Sequence, residues 1–123
     1  MGYRDEDVQF KVVDGPPLYR NTADGPVRYA LVANDDGVLG YLWVSDPSDA
    51  AGYLPRRSGG DVAVNSGGYW LRKLRAGKAA GLPPSQALAR LPADSGSPMT
   101  GRIVAGSEGT APSLAALREL AAD

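Results

Sequence analysis

The sequence predicts an α+β fold: one small domain over residues 1–123, mainly an antiparallel sheet built on an N-terminal hairpin, with several short helices. Three observations carry this. Strand-type alternation of apolar residues is concentrated before residue 46, leucines at helical spacing come later, and one late strand pattern is not part of a regular βαβ series. The length suits one domain with one modest core.

In chain order, Val8–Val13 alternates Val8, Phe10 and Val12 with polar residues, a half-buried strand that Pro16 and Pro17 end. Leu18–Arg20 reads as a short strand before a turn at Asn21–Pro26. Val27–Ala33 and Val38–Ser45 flank Asn34-Asp35-Asp36-Gly37 and read as a β-hairpin, with Gly37 supplying positive φ. Simple alternation puts Val27, Tyr29, Leu31 and Ala33 on one face of the first arm. In the second arm it sets Leu39, Tyr41 and Trp43 against Val38, Leu42 and Val44.

Asp46-Pro47-Ser48-Asp49 has the form of a helix start, which predicts one or two helical turns at Ala50–Leu54 before Pro55. Arg56–Gly60 reads as loop and Asp61–Asn65 as a short strand. Asn65-Ser66 is a capping pair for a helix at Tyr69–Ala76, with Trp70, Leu71 and Leu74 in one apolar arc and Gly77 at the C′ position. A second helix is expected at Ser85–Leu91, with Leu88 and Leu91 facing inward. After it come a turn at Ala93–Pro98, a strand at Thr100–Ala105 and a capped turn at Gly106–Thr110. The last helix is expected over Ala111–Ala122, with Leu114, Leu117, Leu120 and Ala121 on one stripe.

The absent residue types bound the chemistry. Without Cys there are no disulfides, Fe–S clusters or thiolate nucleophiles. Without His the chain lacks the commonest general base and transition-metal ligand, so Ser-His-Asp catalysis is closed to it. These counts lean away from an enzyme, and no catalytic residue, metal ligand or cofactor is assigned. The first residues form neither a secretory signal nor a myristoylation motif, and no apolar run reaches membrane-span length. A soluble, cytoplasmic protein is therefore expected. Arg outnumbering Lys, with abundant Ala and Gly, points to GC-rich coding and a bacterial source.

Charge is unevenly laid out. The formal net charge is −1, yet acids dominate residues 1–49 and bases dominate 50–78. Arg56, Arg57, Arg72, Lys73 and Arg75 are thus candidates for binding an anion or nucleic acid, with Tyr69 or Trp70 available to stack on a base. The low pI of about 5.3 argues against nucleic acid, and cations near a helix end also complement its dipole. Tyr41 and Trp43 are candidates for a ligand pocket or an interface, should they lie on an open sheet face. Gly106–Thr110 matches neither phosphate-binding glycine pattern, and Glu108 would repel an anion. The acidic pair Asp35-Asp36 is explained by hairpin chemistry.

The hairpin, with its ALV, DDG and LGYLWV segments, resembles those of acetyltransferases and nucleotide-sensing regulatory domains over a small part of the chain. The resemblance to acetyltransferases implies an R-x-x-G-x-[GA] phosphate turn; Arg56–Asp61 departs from it by ending in Asp61. The leading expectation is a non-catalytic module that binds a protein partner or small ligand, with opposite charges that also let two copies pair as a homodimer. The alternatives are phosphate or nucleic-acid binding through the basic 56–78 segment, and a small acyltransferase-like enzyme.

Overall fold

A computed structural model of the chain describes residues 18–91 and 99–123. The strand expected at Val8–Val13 and the turn expected at Ala93–Pro98 lie outside the described residues. The hairpin forms where the sequence places it. Strand β1 (Val27–Asn34) pairs antiparallel with β2 (Gly37–Ser45) from Arg28↔Val44 to Asn34↔Gly37. Asn34 Oδ1 accepts the Asp36 N–H at 2.9 Å, and Gly37 takes a φ of 133°. The register shifts between Val32 and Ala33, which face Gly40 and Val38 and leave Leu39 unmatched. That bulge turns Leu39 away from the expected Tyr41 and Trp43 face, so it packs with Leu42 and Val44.

The next element corrects the sequence reading: Ala50–Pro55 is strand β3, not a helix. Asp before Pro also suits a tight turn. Here Asp49 N–H donates to the Asp46 carbonyl at 3.0 Å, and the chain returns along β2 from Ser45↔Ala50 to Gly40↔Pro55. Close packing favours this pairing, because Trp43 lies over Gly52, where a Cβ would sit 2.8 Å from the indole nitrogen. Leu18–Arg20 supplies one parallel bridge, Arg20↔Ala50.

A single 3-10 turn at Arg57–Gly59 leads into α1 (Gly60–Asn65), where a strand was expected. Tertiary contacts override the strand preference of Val62 and Val64. The Tyr53 hydroxyl donates to Ala63 O at 3.0 Å, and Ser66 Oγ donates to the same carbonyl at 2.9 Å. Ser66 is therefore not a side-chain cap for α2 (Gly67–Ala79). That helix also outruns its expected end. Gly81, at φ 82°, is the true C′ residue, with Gly81 N–H on Lys78 O and Leu82 N–H on Gly77 O. Gly77 instead sits inside the helix against α3 (Pro84–Ala89), where a Cβ would fall 2.5 Å from that of Ala87.

The late strand is shorter than expected and a second one follows it. Both β4 (Arg102–Ile103) and β5 (Gly109–Ala111) pair antiparallel with β1, through Val32↔Ile103 and Arg28↔Thr110 among others. The residues expected to form a capped turn thus include a strand. Between the two segments Ser107 Oγ accepts the Leu31 N–H at 3.0 Å, standing in for a ladder carbonyl. The last helix, α4 (Leu114–Ala121), starts later than expected, at Ser113, whose Oγ accepts the Ala116 N–H at 3.0 Å.

The result is an α+β fold: among the described residues, a five-stranded antiparallel sheet in the order β3-β2-β1-β4, with β5 also on β1. Helices cover both faces. On one, Trp70 and Leu74 of α2 and Ala87 of α3 pack against Ala30, Val32, Leu42 and Val44. On the other, Leu114 and Leu117 of α4 pack against Val27, Trp43 and Ala50. Among the described residues no helix is long and apolar enough to cross a membrane.

Candidate functional site: a cleft between the third helix and the sheet

The position of α3 is set by an acid far away in the chain. The Asp46 carboxylate, in the turn between β2 and β3, accepts the Ser85 N–H at 2.8 Å and the Ser85 hydroxyl at 2.6 Å. The acid read from sequence as a cap thus caps a different helix. With this end tied to the turn and Ala87 against α2, α3 leaves a gap over the β1 and β2 ends. One chamber of about 250 Å³ has an apolar wall of Ala30, Val44, Leu88, Leu91 and Ile103. A second, of about 350 Å³, continues toward Asp46, Pro47 and Thr110. The chambers share Arg28, Val44 and Ser85, so they form one cleft.

Its charges are sparse and unjoined. Arg28 stands in register between Val44 and Thr110, on the same face as Ala30 and Val32. Among the described residues its guanidinium has no carboxylate partner, although Glu108 lines the same cleft. Asp46 is occupied by Ser85. The chain has no histidine, so the Ser85–Asp46 pair lacks the base that usually activates a serine nucleophile. The arrangement can hold a ligand by one cation, one free carboxylate and an apolar wall. Among the described residues no cluster of three or more acidic side chains could hold a metal ion.

The residues singled out from sequence lie elsewhere. Trp43 is buried beneath α4, and Tyr41 is half-buried with its ring edge-on to Tyr29 at 5.9 Å. Burial pushes the Tyr41 phenol up, nearby Arg56 pulls it down, and Tyr29 and Asp123 push it up again. Arg56 follows the end of β3 and lines a small hollow with Asn34, Leu39 and Val62. Arg72, Lys73 and Arg75 stand exposed on α2, which covers the opposite face, and Lys73 sits over the Tyr69 ring. Arg57 is exposed in the 3-10 turn between them in sequence. The five cations are thus divided between the end of β3, the 3-10 turn and the exposed side of α2.

Sequence reasoning missed Arg28, Ser85 and Glu108. One signal for Arg28 was present: it shares a strand face with Ala30 and Val32, which are apolar. Comparison with protein-family models, curated proteins and solved structures finds no match.

Proposed function

We propose that the chain is a non-catalytic module that binds a small organic ligand in the cleft between α3 and the sheet. The observation that carries the reading is Arg28, a guanidinium unpaired among the described residues, set in a cleft beside an apolar wall of Ala30, Val44, Leu88, Leu91 and Ile103. A cation on an apolar wall can orient a ligand whose body the wall desolvates. The composition supports placing this module in a bacterial cytoplasm.

A fragment screen by ligand-observed NMR, repeated on Arg28→Gln, tests the proposal. Arg28 is exposed and makes no ion pair among the described residues, so the substitution should change stability by no more than about 0.5 kcal/mol. Fragments that carry a carboxylate should bind the parent protein more tightly than the variant. Fragments that bind both proteins equally, or none that bind either, would remove the cleft as a site.

A further inference from the structure

The two free charges of the cleft point to a narrower ligand class. Thr110, the register partner of Arg28, lies two residues beyond Glu108, so the cation on β1 and the carboxylate just before β5 are diagonal neighbours on one side of the sheet. Cross-strand neighbours of opposite charge ordinarily pair where they can reach each other. Here no ion pair joins them. Both line the chamber whose wall is Leu88, Leu91 and Ile103. A purely anionic ligand would meet Arg28 but be repelled by Glu108, and a purely cationic one would meet the reverse.

Resting on the binding reading above, we infer that the ligand is a small zwitterion: a carboxylate and a primary ammonium on a short aliphatic body. The carboxylate pairs with Arg28, the ammonium with Glu108, and the aliphatic part lies along Leu88, Leu91 and Ile103. Guanidinium suits the carboxylate because it can present two parallel N–H donors. Asp46 remains with Ser85 and keeps α3 in place.

Three matched probes separate the charges: L-norleucine, hexanoate, which lacks its amine, and pentylamine, which lacks its carboxylate. Calorimetric titration should show L-norleucine binding about tenfold or more tightly than either analogue, since each missing partner strands a charged group. Arg28→Gln should bring L-norleucine down to the affinity of pentylamine. Glu108→Gln should bring it down to that of hexanoate. Hexanoate or pentylamine binding as tightly as L-norleucine would overturn the zwitterion while leaving the small-ligand reading intact. Silence from all three probes, with fragments still bound in the cleft, would likewise overturn only the ligand class. Silence from probes and fragments together would overturn both.

Discussion

The two faces of the sheet hold their aromatic residues differently. On the α4 face, Trp43 is pressed onto Gly52 beneath Leu114 and Leu117, in a cluster closed by one short amphipathic helix. On the other face, Trp70 is equally buried, but three helices share the covering. There α3 is tied down by Asp46 at one end and leaves a cleft over β1 and β2. One helix laid on a sheet can close its core by packing alone. Where several short helices share a face, their ends need polar anchors, and gaps remain between the anchors and the sheet. The charged cleft is on the second face.

The largest test of this contrast removes the two centres in turn. Trp70→Ala deletes a buried indole whose N–H donates to Thr100 O at 2.8 Å, and should cost about 3–5 kcal/mol by urea denaturation. Leu117→Ala on the α4 face should cost about 2–4 kcal/mol and leave cleft binding unchanged. If Leu117→Ala abolished ligand binding, the faces would not be separate.

A smaller effect comes from Tyr53, which joins β3 to α1 through Ala63 O and the Ser66 hydroxyl. Burial pushes its phenol above the ordinary value of 10.0, partly offset by the Ser66 hydrogen bond. The fold thus favours the neutral phenol. Its contribution to stability is complete below pH of about 10 and is lost as pH rises through the higher folded value. Tyr19 and Tyr41 are shifted in the same direction, chiefly by burial. Tyr53→Phe should cost about 1 kcal/mol near neutral pH and flatten the alkaline loss. Denaturation midpoints at about pH 8 and about pH 11 check both. An alkaline slope identical to that of the parent protein would show that Tyr53 does not couple folding to pH.

The smallest effect should be at Ser45. It is buried at the end of β2, where it borders the chamber that reaches Asp46 and Thr110. Its hydroxyl has no hydrogen-bond partner among the described residues. Ser45→Ala removes a desolvated polar group and should be neutral or stabilising by up to about 1 kcal/mol. A clear destabilisation in calorimetry would show that the hydroxyl is bonded in solution.

Elements with self-contained local signals were legible in the sequence. The hairpin carried its own turn residues and α4 its leucine stripe, although the expected start of that helix fell three residues before Leu114. The errors arose where one local pattern serves two structures. Asp46-Pro47 fits both a helix start and a turn, and only the pairing of Ala50–Pro55 with β2 decides between them. Val62 and Val64 resemble a strand until Tyr53 and Ser66 hold Ala63 O. Leu39 changes faces because of a bulge that alternation cannot reveal. The cleft was hidden for the same reason: Asp46 and Ser85 are 39 residues apart, and Arg28 alone on a strand reads as an ordinary solvated residue.

The central claim is that ligands enter beneath α3 and not at the α4 face. Amide chemical-shift mapping with bound L-norleucine or a fragment hit reads this directly. The shifts should gather at Arg28, Ala30, Val44, Ser85, Leu88 and Ile103, with Trp43, Leu114 and Leu117 unmoved. Shifts centred on the α4 face around Tyr29 and Tyr41 would contradict the account.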